Sequence, residues 1–155
     1  MLVRLYTRMS LPKKYKFEII HGDLCIRNDE MGVTRNWIDL QLNRTDGADY
    51  VIVCLNKKKI VGFILAFARH KPGVGERRKK NIWTLDTICR KQGSEYSIVT
   101  QLLLNRLITQ ALKYNVKKIC LYATTDQAAS AYKRLGFYTT VKHEVQGENM
   151  CLRLY

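Results

Sequence analysis

Between Asn81 and Ala123 the apolar period changes twice, and this limits the fold more than any other feature. Asn81–Cys89 (NIWTLDTIC) has the alternation and β-branched content of a strand. Ile98, Leu102, Leu103, Leu107, Ile108, Ala111 and Leu112 then recur at about 3.6 residues, so they line one face of a long helix ending near Asn115. Lys117–Ala123 is again an apolar strand. A strand, a long helix and a strand make a crossover, and the two flanking strands should run parallel.

The remaining segments fit around that unit. Tyr50–Leu55 and Ile60–Ala68 flank Asn56-Lys57-Lys58-Lys59 and read as a hairpin. Thr125–Leu135 is a short helix stopped by Gly136. Phe137–Glu144 and Asn149–Tyr155 form a closing hairpin around Gln146-Gly147. Upstream, Leu2–Tyr6 suits a short edge strand and Tyr15–Ile20 a second strand. Asp29–Asn43, with Met31, Trp37, Ile38, Leu40 and Leu42, reads as a helix or an irregular segment, and HKPGVGERRKKN as a basic loop. The expectation is one α/β domain over all 155 residues, with a mixed central sheet, a long crossover helix and a C-terminal hairpin. An exposed final strand, ending in Leu152-Arg153-Leu154-Tyr155, would offer an edge to another chain, so monomer and homodimer both stand.

With 27 basic and 13 acidic residues, the chain carries a formal charge of +14. The clusters at Lys13 (KKYK), Lys57 (KKK) and Arg77 (RRKK) are either solvated turns or a surface for nucleic acid or an acidic protein. A free polyamine would be repelled at long range. No apolar run approaches the roughly 20 residues that span a bilayer, so a membrane partner is not expected. The N-terminus lacks a secretory core and has no acid before Glu18, a composition that a mitochondrial leader shares. Cys25, Cys54, Cys89, Cys120 and Cys151 are odd in number and widely spread, which argues for free thiols and a reducing compartment. His21, His70 and His143 show no ligand spacing, and no metal is expected. The expected setting is intracellular and cytoplasmic, with nucleus and mitochondrion left open.

KIVGFILAFARH, IWTLDTIC, the long helix, VKKICLYATTDQAASAYKRLGF and the last hairpin, in that order, resemble the GCN5-related N-acetyltransferase (GNAT) family. The most specific piece is AYKRLGF. The likeness runs from Tyr50 to the C-terminus, and residues 1–49 follow it loosely. It implies acetyl-CoA as cofactor and transfer of the acetyl group to a primary amine by direct attack in a ternary complex.

In the family, a Q/R-x-x-G-x-G/A loop at the start of the long helix holds the cofactor's pyrophosphate. Unpaired amides and the helix dipole favour an anion there, and glycines let it come close. Helix phase aligns this loop with Ser94-Glu95-Tyr96-Ser97-Ile98-Val99. A second register, Arg90-Lys91-Gln92-Gly93-Ser94-Glu95, recovers an arginine and a glycine but shortens the loop. In the first, Ser97 and Val99 replace glycines, Val99 crowds the approach and Glu95 adds a repelling charge. Arg90 and Lys91 can offset the missing arginine. An ordinary helix start capped by Ser94 or Ser97 is the competing reading.

Other roles follow from the same resemblance. Tyr132 matches the tyrosine that protonates the departing thiolate, a task suited to a phenol that is neutral at pH 7. Asp86, the acid on the preceding strand, matches the base that takes the proton of the amine. Backbone groups of Ile88, Cys89 and Arg90 would bind the pantetheine arm and polarise the acetyl carbonyl. Thr125 stands where the family often has asparagine. The basic surface keeps two further readings open: an acyltransferase whose basic face positions a macromolecule such as charged tRNA, and a weakened or inactive relative acting as a basic binding module.

Overall fold

A computed structural model describes residues 1–21, 38, 41–43, 47–68 and 81–155. Its strands are β1 (Leu2–Thr7), β2 (Tyr50–Asn56), β3 (Lys59–Phe67), β4 (Ile82–Arg90), β5 (Lys118–Ala123), β6 (Tyr138–Lys142) and β7 (Glu148–Arg153). The helices are α1 (Lys13–His21), α2 (Val99–Lys113) and α3 (Asp126–Arg134). All the strands join one sheet in the order β1-β2-β3-β4-β5-β7-β6. As the crossover requires, β4 and β5 pair parallel through Ile82↔Lys118, Trp83↔Ile119 and Thr84↔Cys120, and the other pairings are antiparallel.

Apolar side chains cover the sheet on both faces. On one, Tyr15 and Ile19 of α1 pack with Phe63, Leu65 and Cys89. On the other, Leu103, Leu107 and Ala111 of α2 pack with Ile64, Ile88 and Ile119, and the cluster extends to Tyr132 and Phe137. Complete burial of a leucine such as Leu107 is worth about 1.5–3 kcal/mol. The β2–β3 hairpin closes on two residues, Lys57 (φ 48°) and Lys58 (φ 67°). Left-handed backbone at both positions suits the twist of a tight hairpin, but it is the geometry that Asn-Gly adopts most easily. Lysine pays about 1–2 kcal/mol per residue for it.

Three expectations are corrected. Tyr15–Ile20 lies within helix α1, not a strand. Tyr15, Phe17 and Ile19 alternate as strand residues do, but Tyr15 and Ile19 are four apart and buried, whereas Phe17 between them is 64% exposed. The final strand is not an edge, because β7 is inserted between β5 and β6 and the edges are β1 and β6. Nor are all the cysteines free. Cys120 and Cys151 are direct cross-strand partners on β5 and β7 and form a disulfide. The two residues lie 31 apart in sequence, and only the sheet register reveals the pair. Cys54 and Cys89 are buried and do not join this disulfide.

The basic loop His70–Asn81 lies, apart from Asn81, outside the described residues, as do Cys25, Met31, Trp37 and Leu40. Ile38 and Leu42 are described, and both are buried against the α1 side of the sheet. Among the described residues, no helix is long and apolar enough to cross a membrane.

Candidate active site

The site begins where the parallel strands part. Their paired register ends at Thr84↔Cys120, yet β4 continues beside β3 to Gly62↔Arg90 and β5 beside β7 to Ala123↔Glu148. Each strand keeps its outer neighbour while the seam between the two opens.

A bulge marks the start of the opening on β4. Leu65 pairs with Thr87 and Ala66 with Leu85, so Asp86 is the extra residue. Its Oδ2 is shielded from solvent. Next to it, Thr87 is 1% exposed, and its Oγ1 has no hydrogen-bond partner among the described residues. Beyond the bulge, Ile88 joins the α2-side core and Cys89 the α1-side core. Arg90 ends the strand with its Nη1 donating to the Lys91 carbonyl at 3.0 Å, while the Lys91 amide donates to the Val61 carbonyl at 2.8 Å. The guanidinium is thereby held at the root of the following loop.

That loop carries Gly93 at φ 124°, a value that favours glycine, and then a short 3-10 turn over Ser94–Tyr96. A Cβ at Gly93 would lie 2.6 Å from Glu95 Oε2, so the Glu95 carboxylate is folded back over this backbone. Helix α2 follows with Ile98 as its N-cap and no side-chain cap hydrogen bond. Neither Ser94 nor Ser97 caps it, contrary to the ordinary-helix reading, and its first-turn amides keep the local positive potential of a helix start. Ser94, Glu95, Ser97 and Ile98 are exposed and Tyr96 is half-buried.

Val99 does not crowd this mouth. It is fully buried and faces Gly62 on β3, where an added Cβ would lie 2.5 Å from Val99 Cγ1 and 2.9 Å from the Cys89 carbonyl oxygen. The close approach of helix to strand is secured by the missing side chain of Gly62.

Helix α3 presents Tyr132. Thr125 caps this helix, its Oγ1 accepting from the Ala128 amide at 3.1 Å, and Gly136 at φ 99° ends it. The ring of Tyr132 meets Phe137 edge-on, with centroids 5.6 Å apart at 63°. Burial pushes its phenol well above the ordinary tyrosine value, and the nearby Cys89 thiol pushes it further. Tyr132 thus stays protonated at neutral pH.

The structure gathers Asp86, Ile88, Cys89, Arg90 and Tyr132 about this opening, with residues 94–99 on the loop and first turn that follow β4. Thr125 enters through its cap. Two contributors escape the sequence reading. Gly62 carried a signal, since an isolated glycine inside an apolar strand marks a close approach. Glu148, 5% exposed, accepts from Thr139 Oγ1 at 3.1 Å and pairs with Lys133 at 3.6 Å, which ties α3 to β7. Its signal was an acid opening the strand ENMCLR. No cluster of three or more His, Cys, Asp or Glu side chains is placed to hold a metal among the described residues.

The sequence matches no protein-family model and no curated protein. Solved structures match it over nearly its whole length. Tetrahymena GCN5 superposes with a TM-score of 0.71 at 15% identity, covering 100% of this chain and 97% of the other. The PaiA N-acetyltransferase from Thermoplasma acidophilum, in complex with coenzyme A, gives 0.65 at 12%, covering 99% of each chain. The ribosomal-protein-S18-alanine N-acetyltransferase from Escherichia coli gives 0.65 at 14%, covering 99% and 94%. At such identities the likeness is one of architecture: this chain has the fold of the GCN5-related N-acetyltransferases.

Proposed function

We propose that the protein is an N-acetyltransferase that uses acetyl-CoA to acetylate a primary amine by direct attack in a ternary complex. The observation that carries this reading is the open β4–β5 seam with the buried, neutral phenol of Tyr132 beside Cys89. The binding of coenzyme A by a neighbour of the same architecture supports the choice of cofactor, and the acetylation of an alanine in a ribosomal protein by another supports an amine acceptor.

The residues present fit the cofactor on two counts. The mouth of α2 carries no side-chain cap, and Val99 is withdrawn into the core against Gly62. Amides around Ser97, Ile98 and Val99 would hold the pyrophosphate, with Ser94, Glu95 and Tyr96 on the approach and Arg90 held at the loop root. The start of α2 at Val99 suits this register better than the shorter one. When bound, acetyl-CoA supplies an activated acyl thioester.

Backbone groups of Ile88, Cys89 and Arg90, no longer paired with β5, would orient the pantetheine arm and polarise the carbonyl. Asp86, turned by its bulge, would accept the proton that the amine loses as it attacks. Tyr132 would deliver a proton to the departing thiolate, and its burial keeps that proton in place at neutral pH. Thr125 contributes by fixing the start of the helix that carries Tyr132.

The test has two parts. Acetyl-CoA at millimolar concentration should raise the melting temperature, since it would bind only the folded chain. With a panel of primary amines, free thiol should then appear at a rate that depends on Tyr132. No thermal shift at that concentration overturns the reading.

A further inference from the structure

A cavity of about 590 Å³ lies away from the seam, bounded by β1, the start of α1 and the β2–β3 turn. Arg4, Lys14, Lys57 and Lys58 line it, and among the described residues none of its lining side chains is acidic. Leu55 and Tyr15 give it an apolar wall, and Lys14 lies over the Tyr15 ring at 4.9 Å from the centroid. No lining residue belongs to β4, β5, α2 or α3.

Four exposed cations share one cavity with no acidic lining side chain, and two of them occupy the left-handed turn positions where Asn-Gly would be easier. Local strain and uncompensated like charge in one place are characteristic of ligand sites. We propose that this cavity is an anion site, separate from the acetyl-transfer site, that takes a small molecule bearing an oligophosphate.

The chemistry favours phosphate. A linear oligophosphate concentrates several negative charges and many acceptor oxygens in a short length. Arginine meets such groups with a planar fork and lysine with a compact charge. Size favours a small molecule, because the cavity falls within the range of roughly 300–1,000 Å³ seen for small-ligand pockets. A nucleic acid strand would instead need an extended groove with stacking rings, and Tyr15 is buried against Tyr6 with centroids 5.8 Å apart. The inference stands independently of acetyl transfer.

The experiment is calorimetric titration of the full chain with sodium triphosphate at low ionic strength. One site is expected. Lys57→Asn with Lys58→Gly, which keeps the hairpin in its favoured turn chemistry, should weaken binding by about tenfold or more. The same variant should hold or raise the melting temperature and leave stabilisation by acetyl-CoA intact. Lys113→Gln with Lys142→Gln removes as much charge elsewhere and should change binding by less than about twofold. Absence of triphosphate binding overturns the proposal, as does equal weakening in both variants, which would mean a diffuse field. Displacement of triphosphate by acetyl-CoA would show one shared site. Binding of a single-stranded oligonucleotide that triphosphate cannot compete away would show a nucleic-acid surface instead.

Discussion

Val99 at the start of α2 is buried because Gly62 on β3 has no side chain: a Cβ there would come within 2.5 Å of Val99 Cγ1. The helix mouth and the strand beside it are therefore one fitted contact. The β-branched side chain of Val99 turns inward against the strand rather than outward from the loop.

This contact predicts that restoring a loop glycine will harm the protein. Val99→Gly would leave a void beside Gly62 and add a flexible residue to the first turn, costing about 2–4 kcal/mol. Gly62→Ala should cost about 1–3 kcal/mol through overpacking against Val99 and the Cys89 carbonyl. Combining Gly62→Ala with Val99→Ala should recover part of that loss, since the side-chain clash goes while the carbonyl clash remains. Denaturant unfolding of the single and double variants measures the coupling. Strict additivity would show that the two residues do not share a contact.

The sequence exposed those parts of the fold whose periodicity is long or whose turns are sharp. The α2 crossover, the Lys57-Lys58 hairpin and the helix stopped by Gly136 all fall in this group. It misled where apolar residues were few. Tyr15, Phe17 and Ile19 satisfy a strand's alternation, and only the exposure of Phe17 shows the helix. It was silent where the answer depends on register between distant segments. Nothing local announces that β7 inserts between β5 and β6, and the Cys120–Cys151 pair follows from that insertion alone. At the candidate site, residue types were legible but directions were not. Val99 looked obstructive because its partner, Gly62, lies on another strand.

Tyr132→Phe separates chemistry from binding. Loss of the phenolic proton should lower the rate of acetyl transfer by about 10²–10⁴-fold while leaving stabilisation by acetyl-CoA unchanged. The fold also predicts an effect on alkaline stability. Because burial raises the folded-state pKa of Tyr132, the unfolded chain releases its proton first, near the ordinary value of about 10. The contribution is complete below that pH and declines as pH climbs above it. Tyr50 is raised by burial as well, so the difference between wild type and Tyr132→Phe isolates the share of Tyr132. Unfolding followed from pH 9 to 11 should show a shallower alkaline decline in the variant. Parallel declines would mean that Tyr132 ionises as it does in the unfolded chain.

Thr125→Ala removes the cap on the helix that carries Tyr132, where Oγ1 accepts from the Ala128 amide at 3.1 Å. The expected loss is about 1 kcal/mol, or roughly 2–4 °C in melting temperature for a chain of this size. Thr125→Ser keeps the oxygen and should retain most of the stability. If Thr125→Ser falls as far as Thr125→Ala, the methyl group rather than the cap is what matters.

Glu95 supplies the sharpest test of the loop. Its carboxylate folds over Gly93, and its charge opposes any anion at the mouth of α2. Glu95→Gln keeps the shape and removes the charge, so acetyl-CoA should bind about two- to tenfold more tightly at low salt, with the gain shrinking as salt screens the site. Glu95→Lys should extend the gain, whereas Arg90→Gln should act in the opposite sense by removing the guanidinium at the loop root. These signs follow from placing the pyrophosphate beside residues 94–99. Titration of acetyl-CoA against the three variants at two ionic strengths decides the matter, and affinities indifferent to all three charges would place the cofactor's phosphates elsewhere on the chain.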